Sequence, residues 1–268
     1  MYAGTTIRRG SGKIAGVHQK IDRAARRHLK KFITKTVNFP NIKDILHFEG
    51  TNGPDGLKRK SPSTDSPWHF IDPSKPNDRE LLIMIDDHIV NLSDALKTNN
   101  SVRAAFEAAW LAHAIVDGLT PSHHYPLNEK IEELWGKPRN ERLTVMQKNI
   151  IRGINPRDTL SKNWEYWGAG GVWTKHFMFE WGTATSVATA NYKDVIMNKR
   201  DITHLERVSF DEMFMKSLHK IDSLKMYEEL GVNGWNQRLV RQTRNILVPE
   251  MIKMVTLAWY QASIMSGK

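Results

Sequence analysis

Three side chains of the kind that bind divalent metals lie close together in this chain: His113, Asp117 and His123. His113 and Asp117 are four residues apart, so a helix would place both on one face. Gly118 and Pro121 are expected to end that helix, since glycine favours the left-handed C-terminal turn and proline cannot continue it. Two imidazoles and a carboxylate presented in this way could hold a divalent metal ion.

A second histidine–carboxylate pair repeats the spacing. His176 and Glu180 are again four residues apart, among the aromatic residues Phe177, Phe179 and Trp181. Each pair is also compatible with a buried ion pair, or with a carboxylate that orients its histidine. Two such pairs in apolar surroundings favour a metal site, because an unpaired buried charge is costly.

Helices must position these groups, because apolar residues recur at spacings of three and four and no strand-like alternation appears. The helix 102–117 is apolar nearly all round after Glu107, which predicts that it lies at the centre of the fold. We expect an all-α fold with a single domain over residues 1–268 and about seven to nine helices. Besides 102–117, the predicted helices are 14–35, 41–48, 78–96, 127–135, 139–151, 172–192, 211–230 and 236–266.

Three further candidates lie towards the N-terminus. His18 falls on the apolar stripe of the first helix, and Asp55 and His69 belong to a long polar loop that ends in an aromatic segment. A loop of this length without regular structure is usually functional or disordered. We expect the loop to pack down, and Asp55 and His69 are its candidate chemical groups.

Composition limits the classes of function. The chain has no cysteine, which excludes disulfides and thiolate metal sites. Its net charge of +10 and pI near 9.7 favour contact with polyanions or anionic membranes. The basic residues of the first helix, however, fit a solvated outer face better than a dedicated binding stripe. No signal segment or membrane-spanning run is visible, so the expectation is a cytoplasmic protein, with secretion left open.

The order of these residues resembles that of the zinc-dependent phospholipase C family and, more distantly, of the fungal zinc nucleases specific for single strands. The family pattern has an inward histidine, a Pro-Asp in a Gly/Ser-rich loop and a His-Phe-aromatic-Asp-Pro box. It continues with His-x3-Asp-x3-Pro-x-His on the central helix and with His-x3-Glu. The matching positions are His18, Pro54-Asp55, His69-Phe70-Ile71-Asp72-Pro73, His113, Asp117, Pro121, His123, His176 and Glu180. The box matches with one change, since Ile71 stands where the family has an aromatic residue.

The resemblance implies an all-α fold with a zinc cluster, and it assigns the ligands. Those of the first zinc would be Asp55, His69, His113 and Asp117, and those of the second would be His123, His176 and Glu180. Asp117 would bridge to a third zinc, with His18 as a further ligand. Asp55 could also orient the attacking water as a general base. The family spacing selects His123 rather than the adjacent His124.

One departure concerns the third zinc. Family members mature by a cleavage that exposes an N-terminal tryptophan, whose amine and carbonyl bind this ion. Here the chain starts with Met1-Tyr2, and no tryptophan precedes Trp68. The resemblance therefore implies two zinc ions and leaves the third without its family ligand. The interval between His123 and His176 is also longer than in the family, so residues 126–171 are expected to reshape the cleft.

The implied activity is hydrolysis of a phosphodiester, in which zinc-bound water loses a proton near neutral pH and attacks phosphorus. The His-x3-Glu motif and the Gly-rich Pro-Asp loop favour a phospholipid headgroup as substrate. The net charge and the aromatic residues of 164–181 favour single-stranded nucleic acid instead. A third hypothesis is a non-catalytic relative in which the metals only brace the fold.

Overall fold

Helices make up the regular secondary structure of the described residues, and no strand occurs among them. The computed structural model describes residues 1, 16–34, 37–56, 70–125, 127–138, 141, 144, 147, 150–194 and 197–267. The expected all-α fold is confirmed. No helix of this described part is both long enough and apolar enough to cross a bilayer.

The described part contains twelve α-helices, which exceeds the predicted number because several are short. They are α1 Val17–Leu29, α2 Ile42–His47, α3 Glu80–Lys97, α4 Ser101–Gly118, α5 Leu127–Trp135, α6 Pro156–Trp167, α7 Val172–Val187, α8 Lys199–Leu205, α9 Phe210–Asp222, α10 Met226–Asn233, α11 Gln237–Gln242 and α12 Val248–Ser266. Short 3-10 turns cover Gly50–Asn52 and Pro121–His123, and a π-helical stretch, Thr243–Leu247, joins α11 to α12.

Helix α4 lies at the centre of the main core, as its composition predicts. Asn100 caps its N-terminus by accepting a hydrogen bond from the backbone N–H of Arg103. Helices α3 and α12 pack beside it, and the indole N–H of Trp259 donates to the backbone oxygen of Ala108 over 2.9 Å. Because α4 is buried on nearly every side, polar groups at its C-terminal end are also held away from solvent.

Gly118 ends α4 for a different reason from the one expected. It does not adopt a positive φ and remains helical, so the expected left-handed turn is wrong. A Cβ at this position would collide with the side chains of Leu81 and Phe214, so the glycine permits close packing of its neighbours. The chain turns at Pro121, which begins the 3-10 turn that carries His123.

The C-terminal third divides more finely than its periodicity predicts. The helix expected over 211–230 is split into α9 and α10 at Lys225, whose φ is 51°. The helix expected over 236–266 is interrupted by the π-helical stretch. Helices α6 and α8 were not predicted; residues 152–171 are expected from their composition to form a loop, and this expectation is wrong because Asn155 caps a helix that begins at Pro156. The helix expected over 139–151 lies largely outside the described residues.

Residues between the two histidine–carboxylate pairs form a second, smaller core. Ile131, Leu134, Ile151 and Tyr166 pack together, with Trp167 among the half-buried residues against them. Helices α5 and α6 therefore pack against each other through a cluster that is separate from the main core. Helix α7 follows directly and carries His176 and Glu180 back to the main core.

Candidate metal centre

Two groups of potential ligands meet at the end of α4. One is His18, His113 and Asp117, and the other is His123, His176 and Glu180; within each group the ligand atoms lie within 4.8 Å of one another. The first group is buried and the second is partly open to solvent. These six residues come from α1, α4, the 3-10 turn after α4, and α7.

Asp117 is the carboxylate around which the first group is arranged. Its Oδ2 lies 3.2 Å from Nε2 of His113, and its Oδ1 lies 3.3 Å from Nε2 of His18. The rings of His18 and His113 are stacked, with centroids 4.0 Å apart. Oδ2 of Asp117 also lies 3.6 Å from Nδ1 of His123, so this one carboxylate connects the two groups.

Glu180 has the corresponding position in the second group. Its Oε1 lies 3.1 Å from Nε2 of His123 and 3.0 Å from Nε2 of His176. The two imidazole rings are stacked, with centroids 4.9 Å apart, and Phe70 lies against the ring of His123. The spacing of four residues in α7 therefore does place His176 and Glu180 together on one face.

Met1 lies between the two groups, which the sequence pattern did not predict. Its amino group is 2.5 Å from Oδ1 of Asp117 and 3.3 Å from Oε1 of Glu180. Its backbone oxygen is 2.9 Å from Nε2 of His18. An amine and a carbonyl, the two groups that the resemblance expects from an N-terminal tryptophan, here belong to Met1 and lie beside Asp117 and His18.

The charges around the centre shift several pKa values. Burial would lower the pKa of the Met1 amine, but Asp117 and Glu180 outweigh this effect and raise it to about 10. His113 behaves in the same way: burial opposes its charge, while Asp117 and Glu49 raise its pKa to about 10. Burial and the nearby Met1 amine lower the pKa of His123 to about 4, despite the opposing effect of Asp117.

The two carboxylates remain ionised. Burial would raise the pKa of both, but His123 and the Met1 amine hold that of Asp117 well below its usual value, and the Met1 amine and His176 do the same for Glu180. A cation entering the centre would therefore meet two negative charges. It would also displace protons from the amine and from His113, so that metal binding is coupled to proton release.

The remaining ring nitrogens show that the donor set fits a metal. Nδ1 of His113 lies 3.4 Å from Oε2 of Glu49, and Nδ1 of His176 lies 3.2 Å from the backbone oxygen of Ser122. In metalloproteins, histidine ligands commonly donate their second N–H to a carboxylate or backbone oxygen, which fixes the ring and its tautomer. Both histidines are thus oriented with Nε2 towards the carboxylates.

The other predicted residues lie at different distances from the centre. Asp55 is 32% exposed, and its Oδ1 lies 3.9 Å from Nε2 of His113, at the edge of the first group. His69 lies outside the described residues. His124 points away from the centre, with Nε2 3.0 Å from the backbone oxygen of Gly118.

Sequence reasoning missed Glu49 and Asp22, two buried acids behind His113. Burial and the charge of Glu49 raise the pKa of Asp22 well above its usual value, so these acids avoid carrying two adjacent negative charges. The one signal for Asp22 was its position four residues after His18. Glu49 lies at the start of the polar loop and has no helical pattern around it.

Glu49→Ala is expected to weaken zinc binding by about 10- to 100-fold, the range typical of groups that orient a ligand. Without the Glu49 carboxylate, the ring of His113 loses the partner that fixes its orientation. Competition with a zinc chelator measures the change. Glu107→Ala removes another fully buried carboxylate that contacts a histidine, His88, and is expected to leave zinc affinity unchanged. Equal affinity in the parent and in Glu49→Ala would contradict the orienting role.

Comparisons with models of known protein families, with curated proteins and with solved structures find no significant match to this chain.

Proposed function

We propose that this protein is a metal-dependent phosphodiester hydrolase that uses zinc. The proposal depends on one observation above all: two histidine–carboxylate groups adjoin through Asp117, with the amine and carbonyl of Met1 between them. Imidazole and carboxylate donors suit zinc, and a cluster with few carboxylates leaves a net positive charge for an anionic phosphodiester. Bound zinc would supply an activated water at neutral pH and neutralise charge on phosphate.

The side chains of this chain have separate roles in the proposed reaction. His113, Asp117 and His18 would hold one part of the cluster, and His123, His176 and Glu180 would hold the other. Glu49 and the backbone oxygen of Ser122 keep two of the imidazoles in place. With the imidazoles held in this way, these side chains would fix the bound metal that positions the substrate phosphate and the water.

Asp55 is the proposed proton acceptor. It lies at the edge of the centre and is exposed enough to reach a water molecule, while its Oδ1 is close to the ring of His113. A carboxylate in this position can orient the water and take its proton as the oxygen attacks phosphorus. The departing alkoxide is then protonated from solvent, to which the second group is partly open.

We propose a phospholipid headgroup as the substrate, from the resemblance to the phospholipase C family. Single-stranded nucleic acid is the second candidate, because the net charge of +10 attracts any polyanion. Both substrates contain the phosphodiester that the proposed chemistry requires. A direct comparison of the two is therefore part of the test.

The test uses zinc-loaded protein, a soluble nitrophenyl phosphocholine and a single-stranded oligonucleotide. We expect hydrolysis of nitrophenyl phosphocholine that stops with a chelator and returns with zinc. Asp55→Asn should lower kcat for this substrate by at least about 100-fold. If zinc-loaded protein hydrolyses neither substrate, the proposed function fails in favour of metals that only brace the fold. Faster cleavage of the oligonucleotide would assign a nuclease instead. Circular dichroism checks that Asp55→Asn stays folded.

A further inference from the structure

Exposed apolar side chains are concentrated in the segment that leads into and includes helix α7, which carries two of the candidate ligands. Of the 13 large hydrophobic residues exposed in the described part of the chain, eight lie between residues 150 and 181. We call this surface the α6–α7 patch. Its members are Ile150, Ile154, Leu160, Trp164, Trp173, Phe177, Met178 and Trp181. Scattered apolar residues need no explanation, but such a concentration marks an interaction site.

The first part of the patch lies on and before helix α6. Ile154 is 92% exposed, Leu160 is 71% exposed and Trp164 is 68% exposed. Leu160 and Trp164 are one helical turn apart and so lie on the same face of α6. On the opposite side of the helix, the buried Tyr166 packs in the smaller core. This packing holds α6 with Leu160 and Trp164 facing outwards.

The aromatic part runs along helix α7. Trp173, Phe177 and Trp181 follow one another at intervals of four residues, and each of the last two comes directly after a candidate ligand, His176 or Glu180. The ring centroids of Trp173 and Phe177 are 5.6 Å apart, and those of Phe177 and Trp181 are 6.3 Å apart, with interplanar angles of 7° and 15°. The aromatic surface is thus attached to the centre by one helix.

We propose that the α6–α7 patch inserts into the surface of a phospholipid bilayer that contains anionic lipids. Tryptophan is favoured at the boundary between headgroups and acyl chains, and aliphatic side chains are stabilised by contact with hydrocarbon. The choice of lipid rests on the proposed function, since a bilayer would present its headgroups to the centre.

Charge supports the same occupant. Arg152 and Arg157 are exposed on either side of Ile154, and neither forms an ion pair with another residue of the described part. The nearby acidic side chains form ion pairs with lysines instead: Asp158 pairs with Lys162, and Glu165 pairs with Lys130. The edge of the patch is therefore basic, which complements anionic headgroups.

The same geometry disfavours single-stranded nucleic acid. A base inserted between two rings needs a separation of about 7 Å, twice the contact distance between carbon atoms. The ring centroids of Trp173, Phe177 and Trp181 lie closer than this, so no base fits between these rings as they stand. Ile154 and Leu160 provide no ring on which a base could stack, so Trp164 is the one exposed ring of this part of the patch.

The test is co-sedimentation of the full chain with vesicles of phosphatidylcholine containing about 30% phosphatidylserine. We expect the double variant Leu160→Gln/Trp164→Gln to bind at least about tenfold more weakly than the parent, because two inserted side chains are lost. The control is Val102→Gln/Val232→Gln, which changes two exposed valines outside the patch. It is expected to bind like the parent.

Two outcomes would overturn the inference. Either the parent does not bind these vesicles, or the Leu160/Trp164 double variant binds them as well as the parent does. Binding of a single-stranded oligonucleotide that depends on the same two residues, without vesicle binding, would assign the patch to nucleic acid. Brominated acyl chains provide a second readout, since they should quench tryptophan fluorescence less in the double variant than in the parent.

Activity separates this inference from the proposed function. The Leu160/Trp164 double variant should hydrolyse the soluble nitrophenyl phosphocholine like the parent, because neither residue belongs to the metal centre. Patch-dependent vesicle binding by an inactive protein would reject only the proposed hydrolysis. Hydrolysis without vesicle binding would reject only the membrane contact.

Discussion

Asp117→Asn is expected to remove metal from both groups of the centre and to lower kcat/KM by more than about 100-fold, the upper range for groups that only orient a ligand. Asp117 lies within 3.6 Å of ring nitrogens of His113, His18 and His123, so its single negative charge contributes to both groups of candidate ligands. Asparagine keeps the shape but supplies no negative charge. Elemental analysis and nitrophenyl phosphocholine hydrolysis measure the two effects.

A matched control is Glu107→Gln. Glu107 is also a fully buried carboxylate on α4, where it pairs with His88 and Arg103. The Glu107 variant tests whether any loss of buried charge on this helix disturbs the centre. We expect it to keep its metal and its activity. An Asp117→Asn protein that is folded, loaded with two zinc ions and active would contradict the central role of this carboxylate.

The second large effect concerns the amino group of Met1. A chain in which a glycine precedes Met1 has an uncharged peptide nitrogen at this place, and it must also fit an extra residue into a buried site. We expect weaker zinc binding by the centre and, in the metal-free protein, a loss of stability of about 3–5 kcal/mol, the range for breaking one partner of a buried ion pair. Elemental analysis and denaturant unfolding measure these changes.

The control carries the same glycine after Lys268 instead of before Met1. Mass spectrometry establishes the first residue of each purified protein, which the comparison requires. If the chain with glycine before Met1 binds as much zinc and unfolds at the same denaturant concentration as the control, the amine contributes nothing to the centre.

The spacing of four residues predicted the local geometry of the centre well. It placed His113 with Asp117 and His176 with Glu180, because a helix alone determines that relation. The apolar composition of α4 likewise predicted its central position. These features depend on neighbours in the sequence, which is why periodicity is sufficient to find them.

Other parts of the centre depend on contacts between distant residues. Met1 and Glu49 reach His18 and His113 through the packing of α1 and of the loop after α2, and no spacing in the chain encodes this. Gly118 was interpreted from its backbone freedom, whereas its use is to let Leu81 and Phe214 approach. The break at Lys225 was missed because apolar periodicity continues across it.

The small core of Ile131, Leu134, Ile151 and Tyr166 has a consequence for motion. Because it is separate from the main core, α5 and α6 can open locally at a lower free energy than is needed to unfold α4. The apolar surface on α6 and the ligands on α4 then belong to units of different stability, joined through α7. Local opening of α5 and α6 would therefore move Leu160 and Trp164 relative to the ligands on α4, while the aromatic residues of α7 remain on the same helix as His176 and Glu180.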